Sequence, residues 1–237
     1  NKINTWKKES NDIAAIGYFS YDSKNLFFHK LKIKKIKSEI PLVWFGKPKY
    51  IERVNRKVVE RHYSKLCGIK KYKDIISDQQ YAEKIKIIKK YIEDGDVYQI
   101  NFTHPIKYNY FGSGLNIFRS LANYSNPEFG AYLKINKQEI ISLSPEKFFT
   151  KNKNIISSSP IKGTRPRSNN PNIDQKLYNE LKTSEKDRAE HLMIVDLTRN
   201  DLGKICEFGT VLTKNLFKIH SFKTIHHMIS DITGKLN

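Results

Sequence analysis

Pro160-Ile161-Lys162-Gly163-Thr164, followed by Arg165-Pro166-Arg167, is the most informative segment of this 237-residue chain. Gly163 lets another group approach the backbone closely because it has no Cβ atom. Thr164 offers a hydroxyl, and Lys162 offers an amine that is a nucleophile only in its unprotonated form. Taken alone, the segment is more typical of an ordinary turn with a solvated lysine, since glycine and proline mark turns more often than sites. Its meaning therefore depends on the segments around it.

Hydrophobic periodicity predicts a mixture of strands and helices. Alternating residues over 13–21 and 26–31 predict antiparallel strands joined by a turn at 22–25. Apolar residues at helical spacing predict a helix over 78–93, capped by Ser77 or Asp78, that ends at Gly95 and leads into a strand carrying Gln99. A helix over 115–122, a hairpin of strands 129–135 and 139–143, and one long helix over 173–197 are also predicted, with its apolar part 192–195 buried. Strands and helices without strict alternation favour an α+β fold over a doubly wound parallel sheet.

Composition disfavours several classes of function. The formal net charge is +19, but the lysines are spread along the chain and no nucleic-acid-binding motif accompanies them. The one basic cluster, residues 30–37, alternates with apolar residues as a strand with one solvated face would. Cys67 and Cys206 have neither metal-site spacing nor a disulfide framework. No stretch approaches the roughly 18 apolar residues that cross a bilayer. We therefore expect a cytoplasmic protein that binds neither nucleic acid nor membrane.

Four further segments surround the first one in a fixed order: residues 95–101, 144–146, 185–191 and 195–201. In this order they resemble the chorismate-utilising enzymes, the family of anthranilate synthase component I, aminodeoxychorismate synthase component I and the isochorismate and salicylate synthases. Matched stretches run from residues 17–22 to 232–234, nearly the whole chain.

The resemblance implies a fold and a division of the chain. The fold is a layered sandwich of antiparallel sheets flanked by helices, here incomplete at the C-terminus. Residues 1–237 form a single domain, in which 1–75 are the remainder of an N-terminal subregion and 76–237 the first part of the catalytic region. Family members are longer, so we expect a fragment that lacks part of the active site and is inactive by itself.

Glu146 is the candidate acid. Chorismate must lose its C4 hydroxyl, which leaves readily only when it is protonated. Glu146 lies at the end of an apolar strand, where burial would keep a proton on it at neutral pH. The alternative is a carboxylate at the rim that pairs with Lys147 or Lys151.

Glu190 and Asp187 are the candidate Mg²⁺ ligands. They are three residues apart and share one face of the predicted helix. A cation between a substrate carboxylate and a carboxylate-lined wall would offset their repulsion. The family correspondence makes Glu190 a direct ligand and Asp187 an indirect one; the alternative is a solvated helix surface.

The remaining candidates contact substrate by family correspondence: Gly163, Thr164, Gln99 and His227. A structural histidine is the alternative for His227. His226 and His227 cannot chelate one ion together, because neighbours in a strand point to opposite faces.

Two positions distinguish members of the family. Isochorismate and salicylate synthases have a water-activating lysine where this chain has Gln99, so water addition is disfavoured. Anthranilate synthases have alanine at the position of Lys162, and aminodeoxychorismate synthases have lysine. The resemblance therefore implies amination of chorismate at C4, with ammonia from a glutamine amidotransferase partner. Anthranilate synthase component I and an inactive fragment that only binds chorismate or a partner are the alternatives. Glu128 departs from the family pattern and leaves tryptophan binding open.

Overall fold

The computed structural model describes residues 2–9, 13–28, 40–54 and 67–237. The chain divides into two compact units, residues 1–62 with 135–138 and residues 63–134 with 139–237. The division at residue 75 that the resemblance implies stays a prediction.

The described residues of the first unit include two helices and a two-stranded sheet. Helix α1 (Lys2–Glu9) precedes β1 (Ile16–Phe19), which pairs antiparallel with β2 (Val43–Gly46). Between them, a 3-10 turn (Tyr21–Ser23) continues into α2 (Lys24–Phe27). The strand predicted over 26–31 is therefore wrong where it is described, because the amide of Phe28 donates to the carbonyl of Lys24 at 2.9 Å, a hydrogen bond of helical spacing. The basic cluster 30–37 lies outside the described residues.

The second unit begins with two antiparallel strands that a helix separates along the chain. Strand β3 (Gly68–Asp74) pairs antiparallel with β4 (Ile106–Phe111), and α3 (Asp78–Glu93) lies between them in the chain. The helix prediction is confirmed, including its start: Ser77 Oγ accepts from the amide of Gln80, whose side chain accepts from the amide of Ser77. The strand predicted to carry Gln99 is wrong, because residues 97–105 are irregular and pair with no strand among the described residues.

The predicted helix at 115–122 and the hairpin after it are confirmed. Helix α4 (Gly114–Ser125) ends at Asn126, which adopts a left-handed conformation with φ 51°. Strands β5 (Phe129–Ile135) and β6 (Gln138–Ser144) form the hairpin. Its turn includes Asn136 at φ 56°, a conformation that asparagine tolerates better than most residues.

The largest sheet carries the segment with Lys162. It consists of β7 (Lys147–Asn152), β8 (Ile155–Ser159), β9 (Ile161–Pro166), β10 (Leu212–Ser221) and β11 (Ile225–Lys235), all in antiparallel pairs. Strands β8 and β9 lie end to end along one edge of β11, separated by Pro160, and β10 lies along the other edge. Together with its helices, this sheet confirms the α+β class with antiparallel sheets.

The core lies between β11 and two helices, α5 (Pro171–Thr183) and α6 (Glu185–Gly203). Alternate residues of β11 face these helices, so Met228 and Ile232 are completely buried. Leu181 of α5 and Val195 of α6 pack in the two apolar clusters on this side.

The single helix predicted over 173–197 is wrong. It is interrupted at Ser184, whose φ of −62° and ψ of 108° are not helical and whose side chain accepts from the amide of Asp187. The predicted burial of 192–195 is also only partly correct, since Leu192 is 43% exposed while Val195 is buried. Among the helices that the structure describes, none is long and apolar enough to cross a membrane.

Candidate active site

A β-bulge in β9 shapes the candidate site. Thr164 lies opposite His227 and Ile161 lies opposite Ile229, so Lys162 and Gly163 together occupy the space of one residue on β11. Gly163 has φ 91°, a conformation that glycine adopts without steric cost. A Cβ atom there would lie 3.0 Å from Leu181 Cδ1 and 3.3 Å from Asp187 Cβ. The groups that approach Gly163 closely are therefore side chains of α5 and α6. The bulge also turns the Lys162 side chain toward α6.

Substituting Gly163 with alanine is expected to destabilise the protein by about 2–3 kcal/mol, because conformational strain and crowding against Leu181 act together. Gly95→Ala is the matched control. Gly95 has φ 77°, but a Cβ atom there meets nothing within 4 Å, so only the strain of about 1 kcal/mol applies. Urea unfolding of both full-length variants measures the difference. Equal losses would show that packing at the bulge contributes nothing.

Two arginines connect the end of β9 to α5 and α6 by hydrogen bonds. Arg165 donates to Glu180 Oε1 at 3.0 Å and to Asp187 Oδ2 at 2.9 Å. Arg167 donates to Asp174 Oδ1 at 2.8 Å and to the carbonyl of Phe222 at 2.7 Å. These contacts hold the strand that follows the bulge at a fixed distance from α5 and α6.

Asp174 is the centre of this anchor. Besides Arg167, its Oδ1 contacts the amide of Ser168 at 2.9 Å and Nε2 of the buried His226 at 3.1 Å. The hydrogen bond from Arg167, reinforced by the amide of Ser168, holds the pKa of Asp174 well below its ordinary value.

Asp174→Asn is expected to lower the free energy of unfolding at pH 7, because Arg167 and His226 lose a charged partner. Since the pKa of Asp174 is lowered on folding, its stabilisation is complete above the unfolded value of about 4 and is lost as the pH falls toward the folded value. The difference between wild type and variant should therefore be constant from pH 7 to about pH 5 and shrink below about pH 4. Urea unfolding across this range tests it. Asp201→Asn, which alters an exposed ion pair with Lys204, is the control and should show little effect at any pH. A difference that does not shrink in acid would contradict the ionic role of Asp174.

The two acidic candidates on α6 have different environments. Lys162 Nζ is 3.5 Å from Glu190 Oε2, and Lys186 Nζ is 3.9 Å from Glu190 Oε1. Asp187 instead is hydrogen-bonded to Arg165. Burial alone would raise the pKa of Asp187, but hydrogen bonding with Ser184 and Arg165 outweighs it and keeps the pKa below its ordinary value. Glu190 is thus the carboxylate that pairs with the lysine of the bulge, whereas Asp187 pairs with Arg165.

Glu146 lies next to the bulge but is not buried. Its Oε1 accepts from the amide of Ile161 at 3.1 Å, one residue before Lys162. The Glu146 side chain is exposed, so the expected burial is wrong for the described residues, in which no chain segment covers the end of β6. The alternative pairing is not seen either, because Lys147 approaches Ser159 at 3.5 Å and no ion pair joins Glu146 to Lys147 or Lys151 in the described part of the chain.

His227 and Thr164 form a pair across the two strands. His227 Nδ1 is 2.9 Å from Thr164 Oγ1, and His227 Nε2 is buried without a hydrogen-bond partner among the described residues. Burial lowers the pKa of His227, an effect that the nearby backbone of Gly163 only partly opposes, so the ring is neutral at pH 7. His226 points to the other face, toward Asp174 and Tyr178, so the two histidines are separated as expected.

The structure does not join Gln99 to this group. Gln99 lies in the irregular segment 97–105 and makes no hydrogen bond within the described ranges. Its role as a substrate contact stays a prediction. The other predicted residues lie along β9 and the elements that flank it: Glu146, Lys162, Gly163, Thr164, Asp187, Glu190 and His227.

An open cleft of about 670 Å³ adjoins Glu146. It lies between α6 and strands β7 and β8, with Ile194 and Leu202 on the helix side and Phe148 and Pro160 on the strand side. Its size suits a small organic ligand, and Glu146 is the one predicted site residue that lines it.

Sequence reasoning missed His191 and Arg165. His191 is completely buried, and its Nε2 is 2.7 Å from Ser230 Oγ, so it fixes the turn of α6 that carries Glu190 against β11. Arg165 hydrogen-bonds to Asp187 Oδ2 and offsets the charge of this carboxylate. The signal for His191 was its position directly before the apolar run of α6, where a polar side chain facing the sheet needs a partner.

The fit of a Mg²⁺ ion rests on Glu190 alone. No three histidine, cysteine or acidic side chains come together among the described residues. Glu190 nevertheless suits the ion, because its partners among the described residues are two ammonium groups that a cation can displace. Mg²⁺ commonly binds through one or two carboxylates, with water and substrate oxygens completing the shell. Asp187 could act only indirectly while Arg165 holds it.

Comparison with known proteins identifies relatives along the whole chain. A family model described as "chorismate binding enzyme" matches residues 1–237. Aminodeoxychorismate synthase component 1 of Escherichia coli strain K12 is 40% identical over 158 residues, which are 67% of this chain and 35% of that protein. Anthranilate synthase component 1 of Saccharolobus solfataricus is 33% identical over 236 residues, 94% of this chain and 56% of that protein.

A solved structure shows the same fold. Anthranilate synthase component I from Streptococcus pneumoniae matches with a TM-score of 0.72 at 21% identity, over 94% of this chain and 57% of that chain. The chain thus spans between 35% and 57% of the length of these three proteins.

Proposed function

The chain belongs to the chorismate-binding enzymes, and from that premise we propose that the full-length protein aminates chorismate as component I of an aminodeoxychorismate synthase. It would convert chorismate and ammonia into 4-amino-4-deoxychorismate and water, for the p-aminobenzoate branch of folate synthesis. A glutamine amidotransferase subunit would supply the ammonia. The observation that carries the proposal is the position of Lys162 in the β9 bulge, beside Glu190 and one residue from the amide that binds Glu146.

Lys162 is the proposed nucleophile. In its unprotonated form, its Nζ attacks C2 of chorismate, the ring double bond shifts, and the C4–O bond breaks. Glu146 protonates the departing hydroxyl, which leaves as water, and then takes the proton that the lysine nitrogen sheds. Ammonia attacks C4, the double bond shifts back, and the C2–N bond to Lys162 breaks. Glu146 returns a proton to the lysine nitrogen and is restored by the proton that the new amine sheds.

The surrounding side chains would orient the substrate. Gly163 lets the ring approach the backbone, and Thr164 supplies a hydroxyl whose direction His227 fixes through the 2.9 Å contact. The neutral His227 ring is proposed as a further polar contact, since its Nε2 has no hydrogen-bond partner among the described residues. Gln99 is proposed to contact substrate from the segment 97–105, where an amide cannot activate water as a lysine would.

Glu190 would hold the Mg²⁺ ion, with Asp187 in an indirect role. When bound, the ion would offset the repulsion between a carboxylate of chorismate and the acidic side chains of α6.

Anthranilate synthase component I is the second candidate. The observation that favours it is the match to the Saccharolobus solfataricus protein, which extends over 94% of the chain. Lys162 disfavours it, because the family resemblance places alanine there in anthranilate synthases.

Product analysis distinguishes the two candidates. The full-length protein is incubated with chorismate, Mg²⁺ and ammonium at mildly alkaline pH, and the products are separated and identified by mass spectrometry. We expect 4-amino-4-deoxychorismate. Anthranilate as the main product would support the second candidate, and unchanged chorismate would contradict both.

A further inference from the structure

The contact between Lys162 and Glu190 joins two side chains to which the proposed function gives different roles. One is the proposed nucleophile, and the other is the proposed cation ligand. Their charged atoms are 3.5 Å apart, and the two side chains are 29% and 37% exposed. A partly buried ion pair of this kind is screened less by salt than a fully exposed one.

We propose that Lys162 competes with the divalent cation for Glu190 and so sets the affinity of the site for that cation. The inference rests on the cation role that the proposed function gives to Glu190. It adds that Lys162, the residue associated with amination at C4, also weakens cation binding. The reason is that an ammonium group and a divalent cation cannot both occupy the space in front of Glu190 Oε2.

The geometry favours competition over a permanent ion pair. At 3.5 Å the Lys162 contact is longer than the 2.7–2.9 Å of a strong charged hydrogen bond, so it is electrostatic and replaceable. The contact between Arg165 and Asp187, at 2.9 Å, is a true hydrogen bond and has a second anchor in Glu180. A cation that approaches the bulge therefore meets two carboxylates. Lys162 can be displaced from Glu190, whereas the hydrogen bond between Arg165 and Asp187 is stronger.

The β9 bulge is the structural cause of the competition. Because Lys162 and Gly163 share the space of one residue on β11, Lys162 is turned toward α6 rather than away from the sheet. Gly163 permits α6 to approach, since Asp187 would lie 3.3 Å from a Cβ atom at this position. The same backbone feature thus delivers the amine to the carboxylate.

Lys186 provides an internal control. Its Nζ is 3.9 Å from the other oxygen of Glu190, but the side chain is 85% exposed and lies one helical turn away on α6. Exposed pairs at this spacing contribute little. Removing Lys186 changes the net charge as much as removing Lys162, so the two variants separate a local effect from a general electrostatic one.

The test measures Mn²⁺ binding to the full-length protein without chorismate, from the electron paramagnetic resonance signal of free Mn²⁺. Lys162→Met keeps the length of the side chain and removes its charge, and we expect the dissociation constant to fall by roughly three- to tenfold. Lys186→Met should change it by less than about twofold. The effect of Lys162→Met should decrease as ionic strength rises.

Glu190→Gln is the third variant of this test. In this background, adding Lys162→Met should change Mn²⁺ binding no further, because the shared carboxylate is gone. An unchanged or weaker affinity in Lys162→Met would overturn the proposal, as would an equal gain in Lys186→Met or an absence of Mn²⁺ binding in every variant. Lys162→Ala repeats the comparison if the methionine variant misfolds, as judged by circular dichroism. These outcomes are independent of the product analysis, which alone decides the proposed function.

Discussion

The variant Lys162→Ala is expected to lose amination of chorismate at C4 by roughly a thousandfold or more, because no other residue of the described bulge carries an amine for the covalent route. Formation of 4-amino-4-deoxychorismate by the full-length variant, measured with saturating ammonium and Mg²⁺, tests this. The variant should bind Mn²⁺ at least as tightly as the wild type, which separates loss of the nucleophile from loss of the fold. It would also resemble anthranilate synthases at this position, so anthranilate among its products is a further expected outcome.

Lys186→Ala is the matched control for this experiment. It removes a lysine that also approaches Glu190, yet from an exposed position on α6. It should retain most of the wild-type rate. A Lys162→Ala variant with the same rate as Lys186→Ala would show that Lys162 is not the nucleophile and that ammonia attacks chorismate directly.

The helices and strands that sequence alone could predict are those whose capping residues, apolar spacing or alternation lie within the element itself. Helix α3 follows from the capping residues Ser77 and Gln80 and from its apolar spacing. The β5–β6 hairpin follows from alternation on both sides of a turn at Asn136. The order of the five segments indicated the family, which the match to the family model confirms. The structure then brings most of the candidates together along β9 and its neighbours.

The features that sequence could not predict depend on contacts between distant residues. The break at Ser184 lies in the polar run 182–188, where no apolar residue tests the helical spacing, and the serine side chain caps a new helix. The irregular conformation of 97–105 reflects the lack of a pairing strand among the described residues, whatever the β propensity of the segment. Arg165 was assigned no partner because its two acceptors lie 15 and 22 residues away in the chain.

Glu146 and Glu190 show the same limit within the candidate site. Both residues could be selected from their motifs, but their surroundings could not. Glu146 was expected to be buried and is exposed, with a backbone amide as its partner. Glu190 was expected to face a cation, and in the structure it faces the lysine of the neighbouring motif. Motif matching gives the residue types of a site, and the pairing of charges between elements requires the folded chain.

Glu190→Gln is expected to weaken the dependence on Mg²⁺ and the rate together while the fold remains intact. The amide keeps the volume of the side chain and removes the charge that would hold the cation. The Mg²⁺ concentration for half-maximal activity of the full-length protein should rise by at least about tenfold to a hundredfold, the range typical of changes even to groups that only support a metal ligand. A titration of activity with Mg²⁺ measures this shift. The partner Lys162 loses its counter-charge in the variant, but it is 29% exposed and can be solvated, so thermal unfolding should change little.

Glu185→Gln is the control on the same helix, because Glu185 is exposed in the first turn of α6 and is separated from Glu190 by more than one turn. Its Mg²⁺ titration should match that of the wild type. Since the charge of Asp187 is offset by Arg165 through a 2.9 Å hydrogen bond to Oδ2, Asp187 is expected to compensate only weakly for the loss of Glu190. An unchanged Mg²⁺ titration in Glu190→Gln would therefore exclude the ligand role, and with it the competition between Lys162 and a cation for this carboxylate.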